Sequence, residues 1–392
     1  MIRIFQPHVI REEAHARLSA DVEIDGKRAA VWFRVAGKFG EYLCDERSDA
    51  FVIGVLNYAM RNGHDIVCEA PMSEDLLYQI DTYLIDALYK NSRRLHRTRI
   101  SAQVASAPLP CAGAVGTGIS CGIDSLHALA CQCDPKYPGH RITHLTFNNV
   151  GSHGEGARAR RLFEERRIRA ERFSREYGFE LVEGDSNLMD IVEQDHYLSH
   201  TYSSCFAIYA LQKLYSVYYY ASSGSGYDEF SVRNSERYAP GRYEMLALPL
   251  FSTHSLRIYS EGEAIGRLEK TLTVSGFAPS YKYLHVCTES VGNCGRCEKC
   301  TRTMLALDAL GKLDLYRQVF DVDYYLAHRS EYLLRMLHYY YKGRHDYREL
   351  YPALKEEIPL PVRIRLAHEP LKYGTLRLLE KLGGGFSPAF NK

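Results

Sequence analysis

A loop of small residues at 116–125, with the sequence GTGISCGIDS, has a composition that suits phosphate binding. Apolar residues follow it at helical spacing, so Asp124 and Ser125 are predicted to fall in the first turn of a helix. Backbone N–H groups and the positive end of the helix dipole would then converge on the loop. We therefore predict a site for phosphate or pyrophosphate, to which Ser120 and Ser125 add hydroxyl donors.

Two common phosphate loops do not fit this segment. A Walker loop ends in Gly-Lys-Ser/Thr, and no lysine is present here to reach the β- and γ-phosphates. The dinucleotide fingerprint needs glycine at its first, third and sixth positions, and counting from Gly116 the sixth position is Cys121. An ordinary strand-to-helix turn without a ligand stays open as an alternative.

Four cysteines further along the chain have the spacing of metal ligands. Cys287, Cys294, Cys297 and Cys300 lie within 14 positions. Four thiolates can close tetrahedrally around Zn²⁺ with Zn–S bonds of about 2.3 Å. Because sulfur takes every position, water has no place at the metal, and we predict one structural zinc ion per chain.

Two other interpretations of these cysteines stay open. An iron–sulfur cluster also uses four cysteines, but the bacterial ferredoxin run has a different spacing and a following proline, which this segment lacks. Four reduced thiols without a ligand are the second alternative, although thiols this close tend to bind metal or to oxidise. The other seven cysteines are scattered, which favours a reducing compartment over a disulfide scaffold.

Strand and helix patterns alternate from about 112 to 221. Strands are predicted at 112–119, 142–147, 179–183 and 217–221, and helices directly after the loop, at 155–177 and at 203–214. This alternation predicts an α/β fold with a doubly wound parallel sheet. Ligands of such sheets lie at the carboxyl ends of the strands, so loops 120–125, 148–154 and 222–228 are expected at one edge.

The flanking segments have different patterns. The N-terminal part combines a hairpin, with Asp25-Gly26 as its turn, and two helices, the second of which has Ser73 as its predicted cap. We predict three domains: an N-terminal α+β domain at 1–101, a loop domain with the four-cysteine zinc site at 111–310, and a helical C-terminal extension at 311–392. The extension is also the expected interface of a homo-oligomer.

The charge balance disfavours nucleic acid and membranes as partners. The chain of 392 residues has 49 Lys and Arg and 48 Asp and Glu, a net charge of +1, so no overall field attracts polyanions. No segment approaches the roughly 20 apolar residues of a membrane span, and the N-terminus lacks the apolar core of a signal peptide. We expect a cytoplasmic protein.

Residues 120–125 resemble the Ser-Gly-Gly-x-Asp-Ser signature of the PP-loop ATP pyrophosphatases, with Cys121 where that family has its first paired glycine. Together with the cysteine pattern about 160 positions later, the chain resembles the 7-cyano-7-deazaguanine synthase family over 111–310. Three further segments resemble the family's aromatic-glycine loop, its substrate loop and its proline-bearing strand, in that order: 146–151, 223–227 and 248–250.

This resemblance implies an adenine nucleotide alpha hydrolase-like fold and ATP with Mg²⁺ as co-substrate. Family members adenylate 7-carboxy-7-deazaguanine, form an amide with ammonia and dehydrate the amide to the nitrile. The motif match implies that the whole loop binds ATP, with Asp124 on Mg²⁺ and both serines in catalysis: Ser120, Cys121, Gly122, Ile123, Asp124 and Ser125. It likewise implies deazapurine contacts from Gly224, Tyr227 and Asp228 and a structural zinc ion on the four cysteines.

Cys121 and about 200 residues of flanking chain depart from the family pattern and suggest a specialised relative. Synthase-like proteins of bacterial antiphage operons are one such group, in which the reaction would stop at the amide. The accepting nitrogen could then be an amine of a protein that docks on residues 1–101. Two alternatives stay open: a tRNA thiolation enzyme that uses Cys121 or Cys205, and a zinc-stabilised nucleotide-binding scaffold without catalysis.

Overall fold

The structure is a computed structural model that describes residues 1–151, 156–222, 227, 230–232 and 240–358 of the chain. The chain divides into two compact units, Met1–Ile265 and Gly266–Lys392, and each is described by itself. Among the described residues, no helix combines the length and the apolar character needed to cross a lipid bilayer.

The described part of the first unit contains thirteen strands. They are β1 (Ile2–Ile4), β2 (His8–Arg11), β3 (His15–Ile24), β4 (Lys27–Ala36), β5 (Ile66–Cys68), β6 (Met72–Ser73), β7 (Ile100–Ser101), β8 (Val104–Ala105), β9 (Ala114–Gly118), β10 (His144–Asn149), β11 (Glu180–Ser186), β12 (Tyr215–Ala221) and β13 (Arg257–Glu261). Eleven strands form one mixed sheet in the order β13-β12-β9-β10-β11-β4-β3-β1-β5-β7, where β2 pairs with β3; β6 and β8 form a separate pair.

Strands β9 to β13 form the parallel part of this sheet, in the order β13-β12-β9-β10-β11. Strands β10 and β11 therefore follow on one side of β9, and β12 and β13 lie on its other side. This arrangement confirms the predicted α/β class with a largely parallel central sheet. It also creates a switch point between β9 and β12, where the loops at the carboxyl ends diverge and leave a crevice.

Eight α-helices lie in the described part of the first unit. They are α1 (Asp49–Asn62), α2 (Glu74–Gln79), α3 (Ile85–Asn91), α4 (Ile123–Gln132), α5 (Gly156–Tyr177), α6 (Leu188–Val192), α7 (His196–Ala210) and α8 (Glu244–Leu250). A π-helical turn, Ile80–Leu84, joins α2 to α3. Helix α1 ends at Asn62, and Gly63 follows it with a φ of 68° that glycine adopts without steric cost.

Three local predictions need correction. Ser73 stands at the predicted N-cap position of α2, but its side chain makes no capping hydrogen bond, and its hydroxyl donates to the buried Asp49 carboxylate (2.6 Å). Helix α7 begins at His196 rather than at Ser203, because Asp195 caps it by accepting the Tyr197 N–H (2.8 Å). The segment 248–250 is the last turn of α8 rather than a strand.

The predicted hairpin is confirmed as β3 and β4, with Asp25 and Gly26 at φ 50° and 81° in the turn. Strand β4 then pairs antiparallel with β11, so the N-terminal strands continue the parallel sheet. The pairing also covers a sheet edge that would otherwise expose unpaired backbone groups. The compact units consequently differ from the predicted ranges 1–101 and 111–310, because residues 1–101 share one sheet with the strands that follow.

A common core joins the N-terminal segment to the parallel sheet. Helix α1 packs on α7, and Phe206 of α7 contacts Phe51 of α1 and Phe33 of β4 edge to face, with ring centroids 5.7 and 6.1 Å apart. Gly54 allows this close approach, because a Cβ there would lie 3.1 Å from both Phe206 and Leu188. Such tight packing between the two segments means that they are stabilised together.

The second unit is helical in its described part. Its helices are α9 (Arg267–Ser275), α10 (Ser280–Tyr283), α11 (Glu298–Ala309), α12 (Val322–Ala327), α13 (Arg329–Tyr341) and α14 (Leu350–Leu354). Buried side chains of α11 and α13, including Met304 and Met336, contribute to its core. The compact unit begins at Gly266, before the cysteines, rather than at the predicted residue 311. Residues 359–392 of the predicted extension lie outside the described residues.

Candidate functional site

The loop predicted to bind phosphate connects β9 to α4 at the switch point of the sheet. Strand β9 is central, with β10 and β12 as its two parallel neighbours. Gly116 permits the close packing of this strand, because a Cβ there would lie 2.7 Å from the Tyr215 ring. The loop therefore leaves the carboxyl edge of the sheet where ligands of open α/β sheets bind.

A set of local hydrogen bonds gives the loop its form. The Ser120 N–H donates to Ser125 Oγ (3.3 Å), and the Gly122 N–H donates to Ser120 Oγ (3.2 Å). The Ser125 hydroxyl donates to the Gly122 carbonyl (3.2 Å). Helical hydrogen bonding starts at Leu126, whose N–H donates to Gly122, so the N–H groups of the preceding residues of α4 stand at its positive end.

A cavity of about 310 Å³ opens beside the loop. Ser120 lines it from the loop, and Asp124 and Ser125 line it from the first turn of α4, the turn in which the sequence placed them. Its volume lies at the lower end of the range of small-molecule sites, roughly 300–1,000 Å³. Two of the three loops expected at this edge therefore meet here in their described parts, since Asn148 and Val150 line the same cavity.

The other predicted loop residues are placed differently. Ile123 is only 3% exposed, so it can offer a ligand nothing but its backbone. Cys121 and Gly122 are not among the described residues that line the cavity. Cys121 is buried, and that burial raises the pKa of its thiol to about 12, although the positive charge of Arg169 opposes the shift. The thiol therefore neither fills the cavity nor ionises near neutral pH.

The backbone conformation of Cys121 explains why the PP-loop motif has a glycine at this position. Its φ is +58°, in the left-handed region that side chains with a Cβ seldom adopt. Such a conformation costs an L-residue roughly 1–2 kcal/mol. Cys121 thus has the backbone conformation that suits glycine, and its Cβ makes that conformation locally strained.

We expect Cys121→Gly to be more stable than Cys121→Ala by about 1 kcal/mol, because glycine relieves the left-handed strain and alanine retains it. Denaturant unfolding of both variants measures the difference. Cys205 provides a matched control, since it is also buried but lies inside α7. There the order is expected to reverse, with glycine less stable than alanine by about 1 kcal/mol. Equal stabilities at Cys121 would contradict the strain.

Several cavity residues were missed by sequence reasoning. They come from β10, β12 and α7: Thr146, Phe147, Tyr218, Tyr220, His196 and Ser204. The strand residues had a usable signal, because Tyr218 and Tyr220 stand two apart and therefore share one face of β12. His196 could not be found, since the predicted helix began only at Ser203, and Ser204 lay inside that helix without a signal for the face it presents.

His200 stands one turn beyond His196 on α7 and is held next to the cavity wall. Its Nδ1 lies 3.1 Å from the Tyr220 hydroxyl and 3.3 Å from that of Thr201. Burial, together with the nearby His196, lowers the pKa of His200 to about 4. The imidazole is therefore neutral near pH 7, and it fixes the orientation of Tyr220 without adding charge to the cavity.

We expect this histidine to make the protein less stable in mild acid. An unfolded histidine has a pKa of about 6.5, so the unfolded state binds a proton first as the pH falls. The stabilisation present above pH 6.5 is lost toward pH 4, by about 3 kcal/mol for the full shift. Urea unfolding of wild type and His200→Gln at several pH values between 6.5 and 4 gives the free energy of unfolding of each protein. The difference between the two free energies should become smaller as the pH falls. The exposed His8→Gln is the control, and parallel curves for His200→Gln would refute the assignment.

The predicted deazapurine contacts remain predictions. Gly224 and Asp228 lie outside the described residues. Tyr227 is 66% exposed and donates its hydroxyl to Glu263 (2.9 Å). It is not among the described residues that line the cavity.

The four predicted metal ligands of the second unit come together. The sulfur atoms of Cys287, Cys294, Cys297 and Cys300 all lie within 4.8 Å of one another. Two of these separations, Cys287 to Cys297 and Cys294 to Cys300, are 3.9 and 4.0 Å. A tetrahedron of thiolates around zinc has S–S edges of about 3.8 Å, given Zn–S bonds of about 2.3 Å. The cysteines could therefore hold a metal such as zinc.

Backbone N–H groups are arranged around these sulfur atoms. The N–H of Glu289 donates to Cys287 Sγ (3.4 Å), that of Cys297 to Cys294 Sγ (3.3 Å), and that of Cys300 to Cys297 Sγ (3.5 Å). Gly295, at φ 71°, makes the tight turn between two ligands. Hydrogen bonds of this kind stabilise thiolates, the form in which cysteine binds metal.

Comparisons of the chain with protein-family models, with curated proteins and with solved structures gave no match.

Proposed function

We propose that the first unit binds ATP at the Ser120–Ser125 loop and uses it to adenylate a carboxylate, with 7-carboxy-7-deazaguanine as the best candidate substrate. The observation that carries the proposal is the position of the loop. It opens at the switch point of a parallel sheet, beside a cavity lined by Ser120, Asp124 and Ser125.

The proposed reaction has two steps and uses ATP, a carboxylate and an amine. A carboxylate oxygen of the substrate attacks the α-phosphorus of ATP, and the bond from that phosphorus to the bridging oxygen breaks, so that pyrophosphate leaves. An amine nitrogen then attacks the acyl carbon, AMP leaves with the electron pair of its bond, and the nitrogen loses a proton. Dehydration to the nitrile would need a second activation by ATP. The amide or the nitrile is the product.

The residues of the loop would act mainly by position and charge. The N–H groups at the start of α4 and the hydroxyls of Ser120 and Ser125 stabilise the negative charge that develops on pyrophosphate. Asp124 would hold Mg²⁺ through its carboxylate, a hard oxygen donor that suits this cation, and the ion would neutralise phosphate charge. A buried, neutral His200 adds no charge of its own at the far wall.

In the second unit we propose Zn²⁺ as the metal of the four cysteines. A complete set of sulfur ligands suits zinc and leaves no position for water, so the role assigned to it is structural. Homo-oligomerisation through the helical unit and a protein substrate that docks on residues 1–101 belong to the same proposal.

Pyrophosphate release and intact mass test the function together. The full chain is incubated with ATP, Mg²⁺ and 7-carboxy-7-deazaguanine, with ammonium or with a candidate protein amine as acceptor. Pyrophosphate that forms only with the carboxylate, together with an amide product, is the expected result. ATP binding without pyrophosphate under every condition would support the scaffold alternative instead.

Transfer RNA thiolation is less compatible with the site. It requires a reactive cysteine at the surface, and the two cysteines considered for it, Cys121 and Cys205, are 1% and 0% exposed. Burial also raises the pKa of both thiols. Salt-dependent tRNA binding, with a log-log slope that reports several phosphate contacts, would restore this alternative.

A further inference from the structure

A second group of metal-binding side chains lies on α4 and β13 of the first unit. His127 and Cys131 stand four residues apart on α4 and therefore on one face of the helix. Glu261 is the last residue of β13, far along the chain. The structure brings the imidazole, the thiol and the carboxylate together, with one potential ligand atom of each within 4.8 Å of the others.

The separation of two of these atoms matches a shared metal ion. Cys131 Sγ lies 3.5 Å from His127 Nε2. Zinc bonds of about 2.3 Å to sulfur and about 2.0 Å to nitrogen, at a tetrahedral angle, place these atoms about 3.5 Å apart. The helix thus presents its two ligands at the required spacing. Only the Glu261 carboxylate would have to move closer to bind the ion.

The surroundings also suit a metal site. His127 is 3% exposed, while Cys131 and Glu261 are partly exposed, so an ion could enter from the side of the thiol and the carboxylate. The Gln132 amide donates to Glu261 Oε2 (3.0 Å), and this hydrogen bond orients the carboxylate. Hydrogen bonds of this kind to a ligating carboxylate are typical of metal centres.

We propose that His127, Cys131 and Glu261 form a zinc site, with water as the fourth ligand. A mixed set of nitrogen, sulfur and oxygen favours Zn²⁺ over Mg²⁺ or Ca²⁺, which take oxygen ligands. The ion joins the helix that follows the phosphate loop to the edge strand of the sheet. This site is separate from the four cysteines, and it does not depend on the proposed adenylation.

A reactive Cys–His pair is the competing interpretation of the same residues. Nucleophilic cysteines occur in electropositive surroundings, which stabilise the thiolate. Here burial raises the pKa of the Cys131 thiol, and the negative charge of the Glu261 carboxylate in the same cluster adds to that shift. A divalent cation resolves this conflict, because it is attracted by both anionic ligands.

Zinc content per chain tests the site directly. The full-length protein is equilibrated with buffered Zn²⁺ at a saturating level, freed of excess metal, and measured by mass spectrometry of the metal. The wild type is expected to hold two ions, one for each of the two ligand groups. His127→Ala and Cys131→Ser are each expected to lose one ion, whereas Cys133→Ser, one residue beyond α4, is expected to keep both.

The design separates loss of metal from loss of structure. Retention of the ion at the four cysteines and an unchanged circular dichroism spectrum show that a variant is folded. If Cys131→Ser does not fold, Glu261→Gln takes its place, because it keeps the shape of the side chain and removes the anionic ligand. A single ion in the wild type at saturating Zn²⁺, or two ions in a folded Cys131→Ser or Glu261→Gln variant, would overturn the proposal.

Discussion

Replacement of Asp124 by asparagine is expected to reduce carboxylate-dependent pyrophosphate release by at least about 100-fold. Asp124 lies in the first turn of α4 and lines the cavity together with Ser120 and Ser125. The substitution removes one negative charge and leaves the size of the side chain almost unchanged. It therefore weakens the binding of Mg²⁺, and with it the neutralisation of the phosphates, while the loop keeps its shape.

The measurement compares initial rates of pyrophosphate formation at saturating ATP. Asp134→Asn is a matched control, because Asp134 is exposed and follows the other end of α4. It should retain the wild-type rate. Thermal unfolding of both variants tests whether each is folded. Wild-type rates in a folded Asp124→Asn variant would mean that the loop does not hold the cation as proposed.

Local sequence patterns predicted most of the parallel sheet and its helices. Strands β9 to β12 were recognised as short segments that alternate with helical patterns and are followed by polar or glycine-rich loops. The pairing of β4 with β11 was not predicted, since two strands distant in sequence carry no local signal of their partnership. The same limit explains why residues 1–101 were expected to form a separate domain.

Site residues that are close in sequence could also be predicted, whereas those brought together by strand pairing could not. The phosphate loop and the four cysteines were found because all their residues lie close together in sequence. The cavity walls from β10, β12 and α7 depend on strand order, which periodicity does not give. His127 and Cys131 form an i, i+4 pair on α4 that was not singled out from the sequence, and Glu261 joins them only through the position of β13 beside β12. The left-handed conformation of Cys121 could be anticipated only from the glycine of the related motif.

Loss of one cysteine ligand is expected to unfold much of the second unit. Cys300 is fully buried in the first turn of α11, and its sulfur belongs to the four-cysteine cluster. Structural zinc contributes roughly 10–16 kcal/mol in small zinc peptides, which is comparable with the total stability of a typical domain, about 5–15 kcal/mol. Cys300→Ser should therefore abolish protection of α11 and α13 from hydrogen exchange.

Hydrogen exchange followed by mass spectrometry resolves this effect by segment. Peptides from β9, β10 and α4 should keep their protection, because these elements belong to the other compact unit. Cys111→Ser is the control, since Cys111 is exposed and belongs to neither ligand group. Serine also distinguishes a metal site from a packed group of thiols. It is close to cysteine in size, so a metal-free cluster would tolerate it at a small cost, whereas a zinc centre loses a ligand. Unchanged protection in α11 would therefore argue that packing, rather than a metal, holds this unit together.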